Sequence, residues 1–157
     1  DKVKESVFNS LGQFFAGGQV LDLYAGSGAL GIEAVSRGMA AAVLVDIAKP
    51  AVEIIKKNIA LTKEPEKFEV LQKADFTALK ILAAQGRKFA LVFLDPPYRK
   101  QQNAKVMQEL VKLELLNSGA QVVVESDDET PVDEVLGLTL AKEHRYGHTI
   151  VRYYVKD

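Results

Sequence analysis

Short apolar runs alternate with stretches of helical periodicity along almost the whole chain, and that alternation restricts the folds open to it more than any other feature. Residues 19–24, 42–46, 68–72, 89–94 and 120–125 read as strands. Between them, residues 29–37, 49–61, 76–85 and 101–116 carry apolar positions at helical spacing. Ahead of the first strand, Val3, Val7, Phe8, Leu11, Phe14 and Phe15 predict an amphipathic helix that stops at Gly17-Gly18. The uninterrupted apolar stretch of the fifth strand implies burial on both faces. Two last strands, 138–145 and 149–155, are joined around Gly147 and predict a hairpin. Repeated strand–helix units require right-handed crossovers, so the expectation is α/β: a mainly parallel seven-stranded sheet, helices on both faces and a C-terminal antiparallel hairpin. In such sheets ligands sit beyond the carboxyl ends of the strands, near the switch in strand order. The stretch from Asp22 to Gly28, with Asp46, Asp75 and Asp95, falls there.

Composition narrows the class further. At 157 residues, 48% hydrophobic, with 20 basic and 21 acidic side chains, the sequence predicts one soluble globular domain spanning 1–157. There is no linker, internal repeat or low-complexity tract. The absence of cysteine excludes disulfides and thiolate metal sites, and two histidines leave little for a metal centre, so no metal is expected. No apolar run approaches membrane-spanning length and no signal peptide opens the chain, which makes a cytoplasmic protein with no membrane partner the expectation. A net charge of −1 does not advertise a phosphate-binding surface as a whole. The chain starts at Asp1, already in a helical pattern, and is expected to lack a short N-terminal segment.

Residues 22–31, Asp-Leu-Tyr-Ala-Gly-Ser-Gly-Ala-Leu-Gly, set Gly26, Gly28 and Gly31 between a strand and a helix. This spacing permits a tight turn and close ligand approach at a helix N-terminus, and it serves dinucleotides and other nucleosides alike. Asp22 discriminates between them. A carboxylate there repels a pyrophosphate but can hold the cationic amino group of a methionine moiety, directly or through water. S-adenosylmethionine, with an amino group, a sulfonium and no phosphate, therefore fits better than NAD. The other reading of Asp22 is a structural acid that bonds the amides of its own turn. Asp46 ends the second strand, where an acid can accept both ribose hydroxyls of either cofactor. Asp75-Phe76 follows the third strand and offers a carboxylate to an adenine amino group beside an apolar wall; Asp75 equally suits a helix N-cap. The candidate cofactor set is Asp22, Tyr24, Ala25, Gly26, Ser27, Gly28, Asp46, Ile47, Asp75 and Phe76.

Asp95-Pro96-Pro97-Tyr98 follows the apolar run Phe-Ala-Leu-Val-Phe-Leu at 89–94. The prolines fix an extended corner with outward carbonyls. An exocyclic amine on a nucleobase is a poor nucleophile because its lone pair is delocalised into the ring. If the Asp95 carboxylate and the Pro96 carbonyl accept its two hydrogens, the nitrogen can pyramidalise towards a sulfonium methyl, with positioning and electrostatics supplying most of the catalysis. Tyr98 can stack on the base. The candidate catalytic set is Asp95, Pro96, Pro97 and Tyr98, with Arg99 and Lys100 as candidates for the backbone phosphates of a nucleic-acid substrate. A strand-terminating loop, with Asp95 as a cap and Tyr98 covering the core, is the structural alternative.

The pairing of Asp22-Leu-Tyr-Ala-Gly-Ser-Gly28 with Leu94-Asp-Pro-Pro-Tyr98 resembles the class I S-adenosylmethionine-dependent methyltransferases, whose amino-methylating members carry an Asp/Asn-Pro-Pro-aromatic signature. Residues 1–9, residues 31–38 and the order of segments are similar, over nearly the full chain, to the bacterial small-subunit ribosomal RNA guanine-N2 methyltransferases of RsmD type. That resemblance implies a Rossmann-like class I methyltransferase fold and methylation of a guanine exocyclic amine in 16S ribosomal RNA, free or within an assembled small subunit. It also implies that Asp95 to Tyr98 hold guanine, Asp22 with Gly26 and Gly28 the methionine end, Asp46 the ribose and Asp75 the adenine. In that family a short basic segment precedes the position of Asp1. The rival readings are a DNA adenine-N6 methyltransferase, a protein glutamine methyltransferase and a non-catalytic module that binds NAD or another nucleotide.

Overall fold

The computed structural model describes residues 2–12, 14–97 and 102–157. Helix α1 (Lys2–Leu11) ends earlier than the apolar pattern predicts, because Gly12 turns the chain with φ 98°. Beyond that turn Phe14 stands 83% exposed. Phe15 folds back edge-on to Phe8 with ring centroids 6.4 Å apart. The alternation then proceeds as β1 (Gln19–Asp22), α2 (Ala29–Ser36), β2 (Ala41–Val45), α3 (Lys49–Ala60), β3 (Phe68–Leu71), α4 (Asp75–Ala84) and β4 (Phe89–Leu94). Helix α5 (Asn103–Lys112), strand β5 (Leu116–Asp127), and strands β6 (Leu138–Tyr146) and β7 (Thr149–Lys156) complete the chain.

Helix α5 is shorter and β5 longer than the sequence pattern predicts. Glu114 takes φ 56°, which breaks the helix, and Leu115 and Leu116 enter the core as the chain turns into the strand. The pairing of β5 with β4 is irregular at its start: Phe89 lies opposite Leu116, whereas Leu91 lies opposite Gln121. Gly119, at φ 76°, sits within that irregularity.

The seven strands form one sheet in the order β3-β2-β1-β4-β5-β7-β6. The first five in that order run parallel, while β7 pairs antiparallel with both β5 and β6. The switch in strand order falls between β1 and β4, where Asp22 lies opposite Phe93. Both faces are covered, as the apolar strands require. On one face α4 and α5 place Leu79, Leu82, Val106 and Leu110 over Leu21, Val92 and Val122. On the other, α1, α2 and α3 place Phe8, Val35 and Ile55 over Val20, Leu44, Phe93 and Val123. Successive strand residues thus feed opposite cores, the period-two pattern of a pleated strand.

Gly31, in the first turn of α2, allows that helix to lie close against the sheet. A Cβ there would overlap Leu44 Cδ2 and approach Asp22 Cβ at 3.5 Å. Leu44 is fully buried, so it has little room to yield. We expect Gly31→Ala to cost about 1–3 kcal/mol through overpacking, seen as a lower urea midpoint; an unchanged midpoint would show that α2 can lift from β2 freely.

Candidate active site

At the carboxyl ends of the parallel strands lies one cavity of about 980 Å³. Its lining joins the loop after β1 (Leu23 to Ser27), Asp46 and Ile47 after β2, Lys73 to Asp75 after β3, and Asp95 to Pro97 after β4. Helix α1 walls it with Val3, Lys4 and Val7, and β5 contributes Val123 and Glu125. The structure therefore brings Tyr24 to Ser27, Asp46, Ile47 and Asp75 of the predicted cofactor set to one space with Asp95 to Pro97 of the amine corner; Asp22, Gly28 and Phe76 are not in the lining. Tyr98, Arg99 and Lys100 lie outside the described residues.

The glycine-rich loop is held from several sides. The Gly26 amide donates to Asp46 Oδ2 and the Ala48 amide to Asp46 Oδ1, each at 2.9 Å. Asn58 of α3 donates to the Ser27 carbonyl at 2.9 Å. Gly28, at φ 83°, turns the chain into α2 in a conformation that favours glycine. Each Asp46 oxygen has a second lone pair, so the carboxylate can grip the loop and still accept a hydroxyl from the cavity.

Asp22 is buried beneath this loop, 1% exposed, and its Oδ2 accepts from the Gly31 amide at 3.2 Å. That bond to its own turn is the structural alternative drawn from the sequence; Asp22 does not line the cavity, so contact with a ligand has to pass through the loop or a water. Burial pushes its carboxyl up to about 7 against the Gly31 amide, which lowers it, and the nearby charges of Asp95 and Asp46 add to the rise.

Asp75 is the first residue of α4 rather than its N-cap, which is Ala74. Its Oδ1 accepts from the Phe76 amide and its Oδ2 from the Tyr24 hydroxyl, both at 2.8 Å. Burial, and then that bond to Asp75, raise the Tyr24 hydroxyl well above its ordinary range. The Phe76 ring packs against the core on the α4 side instead of lining the cavity. Ile47, 68% exposed, supplies the apolar surface at this end.

Asp95 stands at the rim, with Pro96 buried behind it. Its neighbour is Glu125, an acid that the sequence reading did not select. Leu94 of β4 lies opposite Val124 of β5, so the residues that follow, Asp95 and Glu125, emerge side by side, and their carboxyl groups meet within hydrogen-bonding reach. Loss of water pushes Glu125 up to about 7, and the adjoining Asp95 charge adds to the rise. Asp95 is raised too by desolvation, while its bond to Glu125 opposes the rise. Glu125 closes an apolar run as Asp46 and Asp95 do, although β5 itself continues to Asp127, and its place at the end of that run is the signal by which it could have been found. Among the described residues no group of three or more histidines and acids is arranged to hold a metal ion. Among the described residues, too, no helix is long and apolar enough to cross a membrane. His144 and Tyr146 sit on β6, away from the cavity lining, with ring centroids 6.3 Å apart.

A sheet of this order, with a glycine-rich loop after β1 and acids closing the neighbouring strands, defines the Rossmann-like class I methyltransferase fold, whose cofactor is S-adenosylmethionine. A crystal structure of an RNA methyltransferase from Salinibacter ruber in complex with S-adenosylhomocysteine shares that fold at a TM-score of 0.70 and 19% identity, over 99% of this chain and 91% of the other. Residues 1–155 match the family described as conserved hypothetical protein 95, and the chain belongs to that family, the RsmD-type methyltransferases. A conserved hypothetical protein of Streptococcus pyogenes is 42% identical with a TM-score of 0.93, over 98% of this chain and 95% of its own. YlbH of Bacillus subtilis, whose name marks it provisionally as an rRNA methyltransferase, is 37% identical over 99% of this chain and 85% of its own. The ribosomal RNA small subunit methyltransferase D of Escherichia coli K12 is 32% identical over 100% of this chain and 78% of its own.

The position of Asp22 has a consequence for stability. The folded chain keeps a proton on Asp22 up to about pH 7, whereas the unfolded chain releases it near the ordinary 3.8. The folded state binds more protons in that window, so this group's contribution to stability falls as pH rises through it and is level above. Asp22→Asn keeps an acceptor for the Gly31 amide and cannot ionise. In urea unfolding it is expected to exceed the unsubstituted chain by roughly 1–4 kcal/mol at pH 8, with the gap closing towards pH 4. A gap equal at both pH values would mean that Asp22 ionises freely in the fold.

Proposed function

We propose that this chain is an S-adenosylmethionine-dependent RNA methyltransferase that modifies the exocyclic N2 amine of a guanine in small-subunit (16S) ribosomal RNA. The observation that carries the reading is the shared cavity: the Asp95-Pro96-Pro97 corner opens onto the same space as the Ala25–Ser27 loop, Asp46 and Asp75. The naming of the Escherichia coli relative for the small ribosomal subunit supports the RNA. The choice of the guanine amine follows from the family resemblance.

The residues present fit this cofactor on electrostatic grounds. Asp46, Asp75 and Asp95 line a cavity that a pyrophosphate would enter against repulsion, while an ammonium and a sulfonium would be attracted and would favour ionisation of Asp22 beneath the loop. Asp46 would take the ribose hydroxyls, Asp75 the adenine amine with Ile47 against the ring, and the Tyr24–Gly28 loop the methionine end, with Asp22 acting from beneath. When bound, S-adenosylmethionine supplies an electrophilic methyl on its sulfonium.

The chain's own work is then to prepare the amine. The Asp95 carboxylate and the Pro96 carbonyl accept its two hydrogens and turn the nitrogen lone pair towards the methyl, and Asp95 balances the positive charge that develops on nitrogen. Tyr98 would stack on the base, and Arg99 and Lys100 would meet phosphates beside it. Removal of the proton follows methyl transfer, so Asp95 need not be a strong base.

Asp95→Ala tests this division of labour. Calorimetry is expected to show S-adenosylhomocysteine binding close to that of the unsubstituted chain, while single-turnover transfer to undermethylated small subunits falls roughly 100- to 1,000-fold. Normal turnover by the variant would remove the amine-gripping role. Tight NAD binding by the unsubstituted chain, with none for S-adenosylhomocysteine, would instead support a nucleotide-sensing module.

A further inference from the structure

The amine clamp uses Asp95 and Pro96 and leaves Glu125 unassigned, although Glu125 lines the same cavity. Its placement is fixed by the sheet. Phe93 and Val123 face the core under α1, and Asp95 and Glu125, each two residues further along, follow that face at the carboxyl edge. Opposite Glu125 in the ladder is Val151 of β7, which also lines the cavity. Lys4 of α1 looks into the cavity and is paired with Glu33 at 3.6 Å. Behind Asp95 lies buried Asp22, and the Tyr153 hydroxyl of β7 is near enough to Glu125 to be raised slightly by its charge. The amine corner therefore carries a second carboxyl beside the first.

Two carboxyl groups side by side need hydrogen-bond donors. A base whose exocyclic amine is held at Asp95 turns its neighbouring ring nitrogen along the same edge, the edge by which an extruded base is read. In guanine that nitrogen, N1, carries a hydrogen; in adenine, N1 beside the N6 amine is a bare acceptor. An ionised carboxylate accepts only, so it welcomes the first and repels the second. We propose that Glu125 is a specificity-determining residue whose carboxylate accepts the N1–H of the target guanine while Asp95 and Pro96 hold its amine. This rests on the guanine-N2 reading above and extends it, because it supplies from this chain a reason for guanine over adenine that the Asp95 corner alone does not contain. The elevated affinity of Glu125 for a proton agrees with the geometry: two adjoining carboxyl groups lack donors, and the N1–H and amine hydrogens of the base would supply them.

The test replaces the guanine that the unsubstituted enzyme labels in ribosomal RNA with 2-aminopurine, which keeps the 2-amino group and has an unprotonated N1. The enzyme is expected to lose roughly 100-fold or more in kcat/KM on the analogue, as sites built around a substrate hydrogen do. In Glu125→Gln the amide can accept from N1–H or donate to bare N1, so the preference should shrink to within about tenfold. A loss caused by the missing O6 would persist in Glu125→Gln and so overturn the proposal, as would equal turnover of guanine and 2-aminopurine by the unsubstituted enzyme. That second measurement stands even if the variant fails to fold, which S-adenosylhomocysteine calorimetry reports. Failure of the guanine reading is separate and visible earlier: digestion to nucleosides would then place the label on a base other than guanine before any analogue is made.

Discussion

The parallel pairing of β1, β4 and β5 is the constraint on which the site depends. Val20–Leu91 through Asp22–Phe93 and Leu91–Gln121 through Leu94–Val124 set three strands in register, so that their carboxyl ends fall at one edge of the sheet. Parallel strands need long crossovers, and here those crossovers are helices whose apolar faces bury Val20, Leu21, Val92 and Phe93 from both sides. The register is therefore held by the core rather than by the site. A slip of one residue would turn Asp22, Asp95 and Glu125 to the other face and send buried side chains to the wrong layer.

That packing gathers acids in a place where isolated charge is costly. Burial raises Asp22 and Glu125 to about 7 each, and Asp95 also rises. The folded chain tolerates this by holding protons and by spending carboxylate lone pairs on backbone amides, as Asp22 does with Gly31 and Asp46 with Gly26 and Ala48. In the proposed function, a ligand bearing positive charge and a base presenting hydrogen-bond donors would supply the missing partners. The proposed ligand preference and the raised proton affinity of these acids thus share one origin, the excess of acceptors at the sheet edge.

Much of the architecture was legible in sequence because apolar runs, helical spacing and turn residues agree with one another. The five parallel strands and the terminal hairpin follow from that agreement. The departures fall where a local backbone choice overrides the pattern. Gly12 ends α1 before Phe14, and Glu114 at φ 56° converts Leu115 and Leu116 from an apparent helix end into the entrance of β5. For the site, an acid at the end of an apolar run was the informative rule: it located Asp22, Asp46 and Asp95. Applied to the run Val122-Val123-Val124 it would also have located Glu125. Two features were not legible. Nothing in sequence spacing says that Asp22 lies beneath the loop while Asp46 faces the cavity, and nothing says that Phe76 turns to the core; both depend on how α2 and α4 seat on the sheet.

In the proposed function the acidic sheet edge presents a guanine amine of ribosomal RNA to a methyl donor. The most direct measurement supplies labelled S-adenosylmethionine together with undermethylated small subunits, naked ribosomal RNA and DNA in parallel, then digests each product to nucleosides. Label is expected in N2-methylguanosine from the ribosomal samples and none in DNA. Label in N6-methyladenine of DNA, with none on ribosomal guanosine, would contradict it.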